Sequence, residues 1–95
     1  MSSLRFEWDP RKAAINGRKH GVSFDEAATV WTDPNACFLE DVAHSDTEDR
    51  GKAIGFSEKD RLLAVIFTVR NNGIRIISAR KAAAAEEAAY VQNLR

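Results

Sequence analysis

The stretch RLLAVIFTVRNNGIRIISA, residues 61–79, decides the fold, because two β-rich runs flank a turn signal within it. Residues 61–70 are the most β-like segment of the chain, with branched and aromatic side chains at most positions. Asn72-Gly73 is the strongest short hairpin signal in the sequence, and residues 74–79 follow it as a second β-rich run. The stretch therefore predicts two antiparallel strands joined by a tight turn.

The turn also predicts how the two strands face each other. A two-residue loop at Asn72-Gly73 places Arg70 directly opposite Arg75 and collects the apolar side chains on the other face. Two arginines directly across a sheet repel each other, and a bound anion would relieve that repulsion. This register therefore predicts a phosphate-binding pair at Arg70 and Arg75.

Two helices are predicted before this hairpin. Asp9-Pro10 supplies an N-cap followed by a proline at the first helical position. The first helix should run to His20, because Gly21 suits a left-handed C-cap. A Ser-Phe-Asp-Glu capping box at residues 23–26 then opens a second helix that extends to about residue 31.

The remaining pattern completes an α+β fold. Short strands are predicted at residues 4–8, 36–41 and 52–57, and an alanine- and glutamate-rich helix is predicted at residues 81–95. The expected architecture is a mostly antiparallel sheet of four to five strands with two N-terminal helices and one C-terminal helix. A chain of 95 residues has room for one domain, so residues 1–95 are interpreted as a single unit.

Composition excludes several classes of protein. The longest apolar run, residues 62–67, is too short to cross a membrane, and charges occupy the first residues, where a secretion signal needs an apolar run. A lone Cys37 cannot form an internal disulfide, and two histidines cannot assemble a zinc cluster. These features predict a cytoplasmic protein with no membrane contact, no metal and no cofactor.

Charge is balanced overall but unevenly distributed. Residues 32–60 contain three Lys or Arg against eight Asp or Glu, whereas residues 61–95 contain six against two. The basic last third could present a local anion-binding surface; alternatively, the charges mix on the folded surface and cancel. The acidic stretch at residues 40–49 lacks the ligand spacing and glycine of a calcium loop, so we interpret it as a solvated loop.

Several motifs in the chain together form a recognisable series. They are Phe6-x-Trp8-Asp9-x-x-Lys12-x-x-x-Asn16-x-x-Lys19-His20-Gly21-Val22-Ser23-Phe24, Glu48-Asp49-Arg50, Ile54-Gly55 and Ile74-Arg75-Ile76-Ile77-Ser78-Ala79-Arg80-Lys81-Ala82. Glu86 or Glu87 followed by Tyr90 closes the series, which covers nearly the whole chain. On these motifs the sequence resembles the BrnT-family toxins.

The resemblance implies a fold, an activity and partners. Proteins of that family are the toxin half of a type II toxin–antitoxin pair, have a RelE-like fold, and halt translation by cutting RNA. A cognate ribbon-helix-helix antitoxin neutralises them, and operator DNA is bound only by the toxin–antitoxin complex. Related sequences carry several arginines where this chain has alanines at residues 82–85, so a non-catalytic or decayed homologue that binds a partner is the alternative.

Metal-independent RNA cleavage needs a base for the 2′-hydroxyl, cations for the charged phosphorane and an acid for the leaving 5′-oxygen. The resemblance implies that clustered lysines and arginines supply most of this chemistry. The candidate catalytic residues are Lys19, His20, Arg50, Arg70 and Arg80. The candidate RNA-binding residues are Lys12, Arg75 and Lys81.

Each type of candidate also has a purely structural interpretation. Lys19 and His20 suit the negative end of a helix without any chemistry. Arg70 and Arg80 could be ordinary surface arginines at strand ends. Asn16 could bind either a backbone group or RNA, and the sequence leaves these two roles open.

Overall fold

One five-stranded sheet organises the computed structural model, which describes residues 4–41 and 50–94. In chain order the elements are β1 (Phe6–Glu7), α1 (Pro10–His20), α2 (Phe24–Ala28), a 3₁₀ helix (Thr29–Thr32), β2 (Cys37–Glu40), β3 (Gly51–Phe56), β4 (Leu62–Arg70), β5 (Gly73–Lys81) and α3 (Ala84–Asn93). Most of the predicted acidic loop, with Glu48 and Asp49, lies outside the described residues. No helix in the described part of the chain is both long and apolar enough to span a membrane.

The strands lie in the order β1-β5-β4-β3-β2. Strands β2 to β5 pair antiparallel with their neighbours, whereas the short β1 runs parallel to β5, with Phe6 beside Ile74. The predicted α+β class and the order of its helices are confirmed for the described residues. The sheet is mixed, because β1 joins its edge in the parallel direction.

Local capping signals set the ends of α1. The Asp9 carboxylate accepts a hydrogen bond from the backbone N–H of Arg11 at 2.8 Å, and Pro10 occupies the first turn. At the other end Gly21 adopts a left-handed conformation with φ of 68°. The helix therefore begins and ends where the sequence predicts.

The second predicted helix is confirmed at its start and changes character near its end. The Ser23 hydroxyl accepts a hydrogen bond from the backbone N–H of Glu26 at 3.0 Å, as a capping residue should. The α-helical part ends at Ala28 and continues as the 3₁₀ helix to Thr32. The Thr29 hydroxyl donates to the backbone carbonyl of Glu26 at 2.6 Å, and such side-chain bonds compete with regular helix geometry.

The hairpin between β4 and β5 has a different register from the predicted one. Asn71 and Asn72 occupy the turn with positive φ angles of 50° and 64°, and Arg70 pairs with Gly73. Asparagine tolerates this left-handed conformation, so the turn does not require the glycine. Gly73 instead permits close packing of β1, because an added Cβ would lie 2.8 Å from the Arg5 carbonyl oxygen. The predicted Asn72-Gly73 loop is therefore wrong by one residue.

The main core lies on one side of the sheet, which we call the helix face because α1, α2 and the 3₁₀ helix pack there. Its buried residues are Val22, Phe24, Ala27, Val30, Ala53, Leu63, Val65, Ile74, Ile76 and Ala79. A bulge between Ile66 and Phe67 pairs Phe67 with Ile76 and Ile66 with Ser78. The bulge keeps both Ile76 and Ala79 on the helix face, although three positions separate them.

Asn16 ties α1 to the edge of β5. Its amide nitrogen donates to the backbone oxygens of Val22 and Ala79 at 2.9 and 2.8 Å, and its oxygen accepts from the backbone N–H of Ala79 at 3.1 Å. Because β1 covers only the start of β5, Asn16 satisfies backbone groups that no neighbouring strand reaches. The structure therefore assigns Asn16 a structural role.

Candidate active site on the open face of the sheet

The side of the sheet opposite to the helix face carries a group of cationic side chains. Residues that pair directly across strands share a face, so the pairing of Lys52 with Ile66 and of Arg80 with Ala64 places both cations here. Helix α3 covers only one end of this side, where Tyr90 packs with Cys37 and Ile54. We call the remainder the open face, and its members include Lys52, Thr68, Arg75, Ser78 and Arg80.

Arg50, a predicted catalytic residue, also belongs to this side. It precedes Lys52 by two positions, and its backbone carbonyl accepts a hydrogen bond from the backbone N–H of Asp41 at 2.9 Å. Alternation along the strand therefore carries Arg50 and Asp41 onto the open face. On this face Asp41 is buried and Arg50 is half-buried.

A tightly bonded group on the open face is centred on Glu86, in the first turn of α3. Its carboxylate accepts hydrogen bonds from both terminal nitrogens of Arg80, at 2.7 and 2.8 Å. Lys52 Nζ donates to the same carboxylate at 2.7 Å, and the backbone N–H of Ala83 donates at 2.8 Å. The group of Arg80, Lys52 and Glu86, which we call the cation cluster, carries one net positive charge.

Hydrogen bonds fix the ionisation of the cation cluster. The guanidinium of Arg80 is the main cause that lowers the pKa of Glu86 from 4.5 to about 2, against the opposing effect of burial. Lys52 and the Ala83 backbone lower it further. The pKa of Arg80 is raised, first by its bonds to Glu86 and more weakly by the charge of Asp41. Glu86 and Arg80 are therefore both charged at neutral pH.

The structure separates Arg70 from Arg80. Arg80 pairs with Ala64, and Arg70 lies six positions further along β4, which corresponds to about 20 Å. The C-terminal ends of two adjacent antiparallel strands lie at opposite ends of the sheet. Two arginines at these C-terminal ends therefore cannot share one phosphate. Arg70 and Arg80, both predicted as catalytic residues, therefore lie too far apart to act on the same phosphate.

Arg75 is also not opposite Arg70. It pairs with Thr68, and its guanidinium donates to the Glu7 carboxylate at 2.8 Å. The predicted repulsion between Arg70 and Arg75, and the anion site derived from it, depended on the incorrect register. Arg75 remains on the open face, at a distance from the cation cluster.

The C-terminal part of α1 lies near Ala79, on the opposite face of the sheet from the cation cluster. The bonds from Asn16 hold the helix against Ala79, next to Arg80. One turn later along α1, His20 is half-buried and Lys19 is exposed. Lys12 at the start of α1 and Lys81 at the end of β5 are both exposed.

Two members of the cation cluster were not predicted as site residues. Lys52 lies two positions after Arg50 in a predicted strand, so alternation could have placed it on the same face. Glu86 lies three positions after Ala83, the N-cap of α3. A carboxylate at this position normally accepts a hydrogen bond from the backbone N–H of the N-cap residue. Only the folded sheet brings these residues together, because 34 positions separate Lys52 from Glu86.

A second set of bonds holds α3 in place over the sheet. The Tyr90 hydroxyl donates to Asp33 at 2.8 Å, and the same carboxylate oxygen accepts from the backbone N–H of Phe56 at 2.9 Å. Burial, followed by the bond to Asp33, raises the pKa of Tyr90 to about 12. Glu86 is therefore presented by a helix that is itself anchored. Within residues 4–41 and 50–94, no three His, Cys, Asp or Glu side chains are grouped to hold a metal ion.

Comparison with known proteins adds an independent line of support for the family. The family profile described as "Ribonuclease toxin, BrnT, of type II toxin-antitoxin system" matches residues 8–86. The crystal structure of the Brucella abortus ribonuclease toxin BrnT superposes with a TM-score of 0.65 at 26% sequence identity, covering 85% of this chain and 99% of that one. No curated protein sequence matches the chain. The chain belongs to the BrnT family of ribonuclease toxins from type II toxin–antitoxin systems.

Proposed function

We propose that this protein cuts RNA on the open face of its sheet without a metal ion, and that this cleavage inhibits translation. Arg80 carries the proposal, because it is fixed beside Lys52 in a cluster that keeps a net positive charge. A fixed guanidinium can bind a phosphate through two parallel hydrogen bonds and stabilise the charge that develops during cleavage.

The remaining candidates take supporting roles in the proposal. Arg80 and Lys52 stabilise the charged phosphorane, and Arg50 adds positive charge from the same face. His20 and Lys19 remain the candidates for transferring protons to and from the reacting oxygens. They lie on α1, which packs against the helix face.

Four further cations are proposed to grip the RNA backbone beyond the reacting phosphate. Each contact of this kind adds affinity through counterion release and makes binding weaken with salt. They are Lys12, Arg70, Arg75 and Lys81.

The cellular context follows from the family. We infer a cytoplasmic toxin that a cognate ribbon-helix-helix antitoxin neutralises, with operator DNA bound only by the complex, and we extend the comparison of folds to RelE. A small ribbon-helix-helix reading frame beside this one, whose product co-purifies with the protein, would support the partner. Superposition on a RelE toxin tests the fold relationship.

A partner-binding protein without catalysis is the second candidate. The observation that favours it is that Glu86 already accepts hydrogen bonds from both terminal nitrogens of Arg80. An arginine engaged in this way has less capacity to bind a phosphate. In that case the protein would bind an antitoxin-like partner but leave RNA intact.

Induced expression in bacteria separates the two candidates. We expect the wild-type protein to arrest growth and to cut bacterial RNA when purified. Arg80→Ala should relieve the arrest and lower cleavage by about 100-fold or more, the loss expected when a charge-stabilising donor is removed. Arg80→Lys should recover only part of the activity, because lysine lacks the planar pair of donors.

Arg18→Ala is the matched control. Arg18 is an exposed arginine in the last turn of α1 and has no role in the proposed site. Its substitution should leave arrest and cleavage at the wild-type level. If the wild-type protein is harmless without its antitoxin and cuts no RNA, the partner-binding function is the correct one.

A further inference from the structure

The carboxylate of Glu86 uses both oxygens for cations of the open face. Oε1 accepts from Arg80 Nη1 at 2.7 Å and from the backbone N–H of Ala83 at 2.8 Å. Oε2 accepts from Arg80 Nη2 at 2.8 Å and from Lys52 Nζ at 2.7 Å. Four bonds to one carboxylate that is only 7% exposed leave the group with little freedom to move.

These bonds define the orientation of Arg80. A guanidinium bonded through both terminal nitrogens must lie in the plane of the carboxylate, so neither rotation nor tilt is free. The Arg80 side chain is nevertheless 40% exposed, and Lys52 is 23% exposed. Both cations can therefore meet a ligand from the solvent side while Glu86 holds them from the protein side.

The position of Glu86 is determined by elements outside the cation cluster. Its bond from Ala83 belongs to the first turn of α3, and the bond between Tyr90 and Asp33 holds the middle of the same helix. A group supported by anchored secondary structure holds its partners more accurately than a group on a loop. The arrangement is therefore suited to placing cations before a ligand arrives.

The same carboxylate has a cost for binding. It places a negative charge beside the two cations that would meet an RNA phosphate, and like charges in proximity weaken the attraction for that phosphate. A group that only strengthened RNA binding would not be an acid at this position. The geometry therefore indicates a residue that favours orientation over affinity.

We propose that Glu86 is a positioning residue for RNA cleavage, which orients Arg80 and Lys52 at the reacting phosphate and reduces affinity for RNA in return. The proposal rests on the proposed function of the open face. A positioning residue of this kind affects RNA affinity and the cleavage rate in opposite directions, whereas a purely structural residue would change both in the same direction. Removal of the charge should strengthen RNA binding and slow the chemical step.

Glu86→Gln tests this separation directly. Affinity is measured with a short fluorescein-labelled 2′-O-methyl oligoribonucleotide of mixed sequence, which lacks the hydroxyl needed for cleavage. Cleavage is measured in a single turnover on bulk bacterial RNA with the protein in saturating excess. We expect about three- to tenfold tighter binding, from the lost repulsion, and about 10- to 100-fold slower cleavage, from the lost orientation.

Two further variants make the result specific. Glu87→Gln removes an equal charge from the exposed neighbouring position, and it should leave the cleavage rate unchanged. Glu86→Asp keeps the charge but withdraws it by one methylene, so it should bind RNA like the wild type and cleave more slowly. Glu86→Asp also serves as the test if Glu86→Gln does not fold.

The proposal is overturned if Glu86→Gln or Glu86→Asp cleaves at the wild-type rate under saturation. It is also overturned if affinity and rate fall together in a protein whose melting temperature is unchanged. The Arg80→Ala variant is measured in parallel to test the proposed function itself. Wild-type cleavage by Arg80→Ala would contradict the function of the open face, whatever the result for Glu86.

Discussion

Two buried glutamates occupy equivalent helix positions on the two sides of the sheet. Glu26 is the third residue after Ser23, the N-cap of α2, and Glu86 is the third residue after Ala83, the N-cap of α3. They are 2% and 7% exposed, and each carboxylate receives two bonds from one arginine. The sequence around the two residues therefore offers the same chemistry at two places.

The partners of Glu26 show that it serves the fold. Arg61 donates to both of its oxygens, and the Ser57 hydroxyl donates at 2.6 Å. The same arginine donates to the Gly21 carbonyl at 3.0 Å, so this group joins the end of α1 to α2 and to the turn before β4. The hydrogen bond from Arg61 is the main cause that lowers the pKa of Glu26.

The surroundings of the arginine, rather than the ion pair itself, distinguish the structural group at Glu26 from the group at Glu86 that we propose to be functional. Arg61 bridges three chain segments, and its side chain is 30% exposed. Arg80 is 40% exposed and lies in a strand on the open face, with the second cation Lys52 bonded to the same carboxylate. The same type of carboxylate–arginine group can therefore stabilise the fold at Glu26 and orient a cation for a ligand at Glu86.

The largest expected effect is on stability, at Glu26. Glu26→Gln should lower the free energy of unfolding by about 2–4 kcal/mol, because it removes the charge and one of the two oxygens that accept hydrogen bonds from Arg61 and Ser57. Denaturation in urea measures the change. The exposed neighbour provides the control, and Asp25→Asn should change the same quantity by at most about 0.5 kcal/mol.

RNA cleavage by the same variants provides a second test of the difference between Glu26 and Glu86. RNA cleavage per folded molecule should stay at the wild-type level in Glu26→Gln, whereas it should fall in Glu86→Gln. A Glu26→Gln protein within about 0.5 kcal/mol of the wild type would show that the two glutamates do not differ as the structure indicates.

A smaller loss of stability is expected when the pH is lowered and Glu86 is protonated. Its pKa is about 2 in the folded protein and 4.5 as the ordinary value, so the unfolded chain binds a proton first as the pH falls. The stability from this group is complete above pH 4.5 and is lost as the pH falls to about 2. Because Arg80 and Lys52 are partly solvated, we expect a loss of about 1–2 kcal/mol. Unfolding curves of the wild type and Glu86→Gln across this range should converge at low pH; parallel curves would contradict the assignment.

The sequence was sufficient wherever the signal was local. Asp9, Pro10 and Gly21 define α1 through contacts within a few residues, and the predicted ends are confirmed. The predicted hairpin register was wrong because the glycine that indicated the turn is required for a contact with a distant segment. Gly73 is needed for the approach of the Arg5 backbone, and nothing near it in the sequence indicates that contact.

The candidate site shows the same limit. Arg80 was predicted from its motif, but its bonded partners come from β3 and α3 and could not be paired before the fold was known. Arg70 and Arg80 were both predicted as catalytic residues, although the predicted antiparallel pairing of their strands already implied that these strand ends lie apart. Asn16 was left between two roles, and only its bonds to Ala79 decide between them.

Tyr90 is expected to contribute less than either glutamate and at the opposite end of the pH scale. Its pKa is about 12 in the folded protein against 10 as the ordinary value, so the unfolded chain releases the proton first as the pH rises. Stability should therefore fall between pH 10 and about 12. Tyr90→Phe should cost about 1 kcal/mol at neutral pH, through the lost bond to Asp33, and should reduce this alkaline slope. An unchanged slope would show that the Tyr90 hydroxyl does not anchor α3 through Asp33.

The smallest effect is expected at the exposed pair of Arg75 and Glu7, which extends the comparison to a third arginine–carboxylate contact. Their side chains are 28% and 45% exposed, so water competes with a bond of 2.8 Å that is otherwise similar to those of the glutamates. A double-mutant cycle of Arg75→Gln and Glu7→Gln should give a coupling of about 0.2–1 kcal/mol that weakens with salt. Because Arg75 pairs with Thr68 rather than Arg70, there is no repulsion between these two arginines for a bound anion to relieve. A coupling as large as the loss at Glu26 would mean that burial does not determine the strength of these pairs.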